Sequence, residues 1–191
     1  MGKIVVSEFV SLDGVIEAPG GGEQYEHAGW TFAIDRGEEG TKFKVDELVE
    51  AEVQLLGRVT YEGFAAAWPK LEGTGAFGEK MNGMPKYVLS STLDKAEWNN
   101  TTVLRGEVAE EVSKLKRDVD GVILVAGSAR LVQALLEHGL VDEFRLMVFP
   151  VILGSGKRLF GETSRKTPLR LVDSKTVGDG IAILTYVPAP A

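Results

Sequence analysis

Between Gly121 and Gly139 the chain carries one pattern that restricts its fold more than any other. Gly121-Val122-Ile123-Leu124-Val125-Ala126 is apolar without alternation, Gly127-Ser128 follows, and Leu131, Val132, Leu135 and Leu136 then recur at helical spacing up to Gly139. A strand that is apolar at every position has both faces covered, which is the condition of an inner strand in a parallel sheet. The helix after it must lie back across that sheet, and Gly139 supplies its stop. A strand-turn-helix unit of this kind belongs to the α/β class.

The rest of the chain repeats the alternation. Ile4 to Val10 reads as a buried strand that stops at Ser11-Leu12-Asp13-Gly14, and Pro19 to Gly29, with Gly20-Gly21-Gly22, reads as a loop whose far end Trp30 and Phe32 anchor. Val45, Leu48 and Val49 mark a helix, and Val53 to Leu56 a second strand. A glycine-rich loop from Leu71 to Gly83 leads to a strand at Lys86 to Ser90 and a short one near Thr102 to Leu104. Val108, Val112 and Leu115 line a helix with Glu107, Glu110 and Glu111 early and Lys114, Lys116 and Arg117 late, an order that complements the helix dipole. Phe144 to Leu153 and Ile181 to Val187 close the series, the latter entered through a hairpin at Gly178-Asp179-Gly180. The expected architecture is a single α/β domain over residues 1–188, its sheet mostly parallel with an antiparallel C-terminal edge, and a frayed tail at 189–191.

Composition narrows the function. A chain of 191 residues with 44% apolar content fills one core. A net charge of -7 disfavours nucleic acid and anionic membrane as partners, although a small phosphorylated ligand can still bind where a few donors converge. There is no cysteine and only His27 and His138, so neither disulfide, thiolate chemistry nor a metal site is expected. No apolar stretch approaches membrane-spanning length, and a cytoplasmic location is the expectation.

Three strand exits carry residues suited to an anion. In Leu55-Leu56-Gly57-Arg58-Val59-Thr60-Tyr61-Glu62, glycine permits close backbone approach, arginine offers a fork of donors and threonine a hydroxyl. Ser90-Ser91-Thr92 places hydroxyls after the next strand, and Gly127-Ser128 opens a helix whose N–H groups face the sheet edge. Each has a plainer reading: a surface charge, a polar strand exit, a serine that caps its own helix. Together they suit a dinucleotide, because ligands of open α/β sheets bind at the carboxyl ends of the strands. Gly154-Ser155-Gly156-Lys157 lacks phosphate-loop spacing and reads as a turn.

Ser11-Leu12-Asp13-Gly14, Gly57-Arg58-x-Thr60-Tyr61, Val88-Leu89-Ser90-Ser91, Ala126-Gly127-Ser128 and Pro150-Val151-Ile152-Leu153-Gly154-Ser155-Gly156 occur in one order over nearly the whole chain. In that order and spacing the chain resembles the dihydrofolate reductase-like superfamily, nearest the reductase domain of bifunctional riboflavin biosynthesis proteins and its stand-alone relatives. The resemblance implies the three-layer dihydrofolate reductase-like fold and NADPH as hydride donor. It implies Gly57, Arg58, Thr60, Ser90, Ser91, Gly127, Ser128 and Ala129 around the cofactor, and Ile16, Trp30 and Phe149 on the substrate side. Asp13 becomes the polar candidate beside the reacting carbon, and a homodimer, with the Phe144 to Leu153 run as a possible interface, becomes the expected assembly.

The chain departs from the family at two places. Dihydrofolate reductases carry an acid in the helix before their Gly-Arg motif, and here no acid is in register; Glu38, Glu39 and Asp46 read as solvated charges. Riboflavin-pathway reductases carry a basic residue after Asp-Gly, where Val15 stands. The expectation is an NADPH-dependent reductase of a small heterocyclic C=N or C=O substrate. Its rivals are 5-amino-6-(5-phosphoribosylamino)uracil reductase of the riboflavin pathway and a protein that binds the nucleotide without turnover. Tyr25, His27 and Trp30 are candidates for a lid over a planar ligand.

Overall fold

The computed structural model describes residues 1–162 and 166–190. Eight strands form one sheet: β1 (Lys3–Ser11), β2 (Ala51–Gly57), β3 (Lys86–Leu89), β4 (Thr101–Leu104), β5 (Val122–Val125), β6 (Glu143–Phe149), β7 (Leu169–Val177) and β8 (Ile181–Pro188). They lie in the order β4-β3-β2-β5-β1-β6-β8-β7. Pairing is parallel from β4 through β6 and antiparallel for β6 with β8 and β8 with β7. Among the described residues five α-helices join them: α1 (Gly37–Glu50), α2 (Arg58–Ala67), α3 (Gly75–Gly83), α4 (Val108–Asp118) and α5 (Ala129–Glu137).

The unbroken apolar strand β5 is buried at all of its positions, as a strand covered on both faces must be. On one face it packs with Leu131, Val132 and Leu135 of α5 and Val112 and Leu115 of α4; on the other Val122 and Leu124 meet Leu48 of α1, Tyr61 of α2 and Met81 of α3. A third cluster, with Trp30, Met147, Phe149 and Ile183, fills the antiparallel end. The result is three layers with the sheet in the middle.

Several expectations require correction. The glycine-rich stretch from Leu71 to Gly83 is not all loop, because α3 forms within it. Met81 is buried there, and Asn82 donates to Trp68 O and Gly78 O while accepting from Trp98 Nε1, so tertiary contacts override the low helix propensity of glycine. Helix α1 turns Gly40, Phe43, Glu47 and Leu48 inward and leaves Val45 and Val49 outside. Its phase is fixed by a buried carboxylate: Glu47 accepts from Ser7 Oγ at 2.9 Å and pairs with Lys44 at 2.6 Å. Strand β6 ends at Phe149 rather than Leu153, since Pro150 has no N–H to continue the ladder. Phe32 is 77% exposed and lies against Gly29 of its own loop, whereas Trp30 is buried. In the tail, Ala189 N donates to Pro168 O at 2.9 Å, and Ala191 lies outside the described residues.

Among the described residues, no helix is long and apolar enough to cross a membrane.

Candidate active site at the carboxyl edge of the sheet

Strand β1 pairs with β6 from Val5 to Ser11 but with β5 only from Lys3 to Val6. Beyond Val6 its flank toward β5 is therefore open at the carboxyl edge. The chain leaves β1 through α1 toward β2 and leaves β5 through α5 toward β6, on opposite faces and in opposite directions. This reversal is the position where open α/β sheets hold their ligands.

The turn after β5 lines that opening. Gly127 and Ser128 both adopt left-handed backbone conformations, with φ of 65° and 61°. Ser128 does not cap its helix; its Oγ accepts instead from Gly57 N at 2.9 Å, tying the end of β2 to the start of α5. The first N–H groups of α5, beginning at Ala129, thus receive no side-chain cap and retain their affinity for an anion. A Cβ added at Gly127 would lie 2.8 Å from Thr60 Cγ2, so Gly57, Thr60, Gly127 and Ser128 converge on one spot.

The remaining anion-suited residues sit at the neighbouring exit. Gly57 is opposite Leu89 in the β2–β3 register, which puts Arg58 beside Ser90. Arg58 is half exposed and its Nη1 reaches both oxygens of Glu62, at 3.1 and 3.0 Å. Ser90 Oγ accepts from the N–H groups of Thr92 and Leu93, and Ser91 is exposed. A phosphate here would compete with Glu62 for a guanidinium already held in place.

Asp13 occupies the end of β1 as expected but acts as a clamp. Its carboxylate accepts from Ser11 Oγ at 2.6 Å, Leu153 N at 3.1 Å and Gly154 N at 2.8 Å. Those bonds, the Ser11 hydroxyl first, lower its pKa from 3.8 to about 2, so at neutral pH it holds no proton to give. Arg158 donates from Nε to Asp13 O and approaches the carboxylate at 3.7 Å. Lys157 pairs with Glu17 at 3.1 Å and Glu23 at 3.6 Å, so both cations of this turn are neutralised. Tyr25 OH donates to Ser155 O at 2.8 Å and stitches the glycine-rich loop to the same turn.

The three residues expected against substrate lie deeper than a contact surface. Ile16, Trp30 and Phe149 are buried, Trp30 and Phe149 meet edge to face at 5.4 Å, and Trp30 Nε1 donates to Glu17 O.

One site residue escaped the sequence. Glu8, on β1, is 5% exposed, and its Oε2 accepts from Gly127 N at 3.0 Å while Oε1 has no partner. Burial, opposed by the Gly127 N–H and by Lys44, raises its pKa well above the usual carboxylate value. A lone carboxylate between Val6 and Val10 in an inner strand was the available signal.

An open depression of about 630 Å³ lies elsewhere, beside Pro85 and Ala96 to Thr102, at the amino end of β3 and β4. Its position away from the carboxyl edge argues against its being the reaction site. Among the described residues, no group of three or more His, Asp or Glu side chains is placed to hold a metal ion.

A family model described as the RibD C-terminal domain matches residues 2–183. Two uncharacterized proteins of Bacillus subtilis (strain 168), YyaP and YwjB, are each 30% identical to the chain over 188 residues. The first alignment covers 96% of this chain and 94% of YyaP, the second 98% of each. Among solved structures, a Shewanella sp. PV-4 protein described as a riboflavin biosynthesis protein superposes with a TM-score of 0.79 at 20% identity, covering 98% of this chain and 99% of that one. A pyrimidine reductase-like protein from Corynebacterium diphtheriae gives 0.63 at 14% identity, covering 99% and 92%. The dihydrofolate reductase of Enterococcus faecalis, solved with NADP(H), gives 0.57 at 17% identity, covering 98% and 97%. These structural likenesses establish the dihydrofolate reductase-like fold.

Proposed function

The chain belongs to the RibD C-terminal domain family, a family of reductase type, and from that premise we propose that it is an NADPH-dependent reductase of a small heterocyclic C=N or C=O substrate. The observation that carries the reading is the convergence of Gly57, Thr60, Gly127 and Ser128 at the opening between β1 and β5. The site fits a dinucleotide on its own terms. Gly127 leaves free the space that a side chain would fill against Thr60, the N-terminus of α5 lacks a side-chain cap, and Arg58 with Ser90 and Ser91 offers donors at the next strand exit.

When bound, NADPH supplies the hydride; the protein's contribution is position and electrostatics. In this reading Gly127, Ser128 and Ala129 present backbone N–H groups to the pyrophosphate, Arg58 and the serines take the 2′-phosphate, and Ser128 fixes the distance between the two exits. Asp13 holds the Leu153–Gly154 backbone against the end of β1 and so shapes the substrate side, while the proton comes from water.

The test is titration with NADPH and NADH, followed by the fluorescence of Trp30, Trp68 and Trp98. Loss of a charge-assisted bond to phosphate costs about 1.5–3 kcal/mol. Arg58→Ala should therefore weaken NADPH binding roughly 10- to 150-fold and leave NADH nearly unchanged. Absence of binding by the parent protein would remove the reductase reading; binding without turnover over a panel of heterocyclic acceptors would favour the non-catalytic one.

A further inference from the structure

We infer that Glu8 is a proton-linked part of the anion cradle, so that a phosphate-bearing ligand docks on the Gly127–Ser128 turn only while this carboxyl is protonated; the inference rests on the cofactor reading above. Glu8 Oε2 already accepts the Gly127 N–H at 3.0 Å, and a phosphate oxygen seated on the turn must share or displace that bond. An ionised carboxylate and a phosphate that share one donor repel each other, and the burial of Glu8 leaves little water to screen them. If the bond is displaced, Oε2 joins Oε1 as a buried oxygen without a partner, which only a neutral carboxyl tolerates. Both routes lead to the same linkage.

The surroundings agree. Glu8 lies on the α5 face of β1, beside the open flank beyond Val6, and the turn above it holds two left-handed residues with no side chain capping the helix. Among the described residues, the charged groups that act on it are Lys44, which favours ionisation, and Glu47, which opposes it. Lys44 is itself committed to Glu47 and Ser7, at 2.6 Å each, so it is a poor counter-ion for a Glu8 carboxylate. Desolvation dominates and favours the acid form.

The experiment measures NADPH affinity for the parent protein and for Glu8→Gln from mildly acidic to alkaline pH, with calorimetry in two buffers of different ionisation enthalpy. Above the Glu8 pKa the parent's affinity should fall about tenfold per pH unit, with uptake of about one proton on binding. Glu8→Gln, neutral at every pH, should bind without that slope or uptake. Titration of the ligand's own 2′-phosphate acts in the opposite sense, gaining charge as pH rises. A parent that binds with flat affinity and takes up no proton, or a variant with the same slope, overturns the inference while the cofactor reading stands, provided Arg58→Ala still weakens binding. No binding by either protein at any pH overturns both. Should Glu8→Gln not fold, proton uptake by the parent decides alone.

Discussion

Lys86 begins β3 with its side chain wholly out of solvent, and its ammonium donates to the carbonyls of Asn82, Met84 and Asn99 at 2.9–3.0 Å while lying 4.2 Å from the Trp98 ring centre. Burial lowers its pKa from 10.5 to about 8, so it remains mostly charged at neutral pH. Lys86→Met keeps the volume but leaves three carbonyls without a donor, and should cost about 3 kcal/mol in urea unfolding; a loss below about 0.5 kcal/mol would show that water replaces the ammonium. Asp13 offers a pH test. Its folded pKa of about 2 lies below the ordinary 3.8, so the stability it contributes is present above 3.8 and disappears as pH falls toward 2. The stability gap between the parent and Asp13→Asn should be full near neutrality and close at about pH 2. Neither role was legible in the sequence: Asp13 could be placed at the end of its strand, but its partners Leu153 and Gly154 come from a distant segment. Glu8 was hidden for the same reason, since its carboxylate is held by Gly127, which is distant in sequence.

The turn between β5 and α5 shows how an element stores strain at a site. Ser128 sits at φ 61°, which costs a non-glycine residue about 1 kcal/mol, and its hydroxyl returns a comparable amount through Gly57 N. Ser128→Gly should therefore be nearly neutral, because the two changes cancel, whereas Ser128→Ala loses the bond and keeps the strain, at about 1 kcal/mol. Gly127→Ala meets both the φ penalty and the Thr60 methyl at 2.8 Å and should cost about 1–3 kcal/mol. Adding Thr60→Ser should recover only the steric part, visible as a partial return of the thermal midpoint. The β5-turn-α5 unit was legible because periodicity and glycine placement agreed. Helix α3 was not, because Gly75, Gly78 and Gly83 signal a loop, and what holds the helix is Met81 and Asn82 meeting distant groups. The phase of α1 was misread because a buried Glu47 counts as polar in any pattern.

For the molecule as a whole, strand order decides which surfaces are free. Of the run from Phe144 to Leu153, the part to Phe149 is an inner strand between β1 and β8, as its sequence equally allowed, and beyond it Ile152 is exposed. Of the two edge strands, β4 and β7, β7 is the longer and mostly exposed, guarded by Arg170, Asp173 and Lys175 and by an irregularity between Leu171 and Asp173. Replacing Asp173 and Lys175 together by valine should promote further self-association, seen by light scattering, without loss of helical signal. The α/β class and the antiparallel edge were legible because each strand announces its own burial. The insertion of β5 between β2 and β1 was not, because nothing local records which neighbours a strand will choose. That insertion has a consequence for biosynthesis: Lys3 finds its β5 partner only in Val122, so the opening that would receive a ligand does not exist on a nascent chain until α5 has left the ribosome. A ligand present during synthesis can rescue a folded but unstable variant, yet it cannot template the first half of the chain.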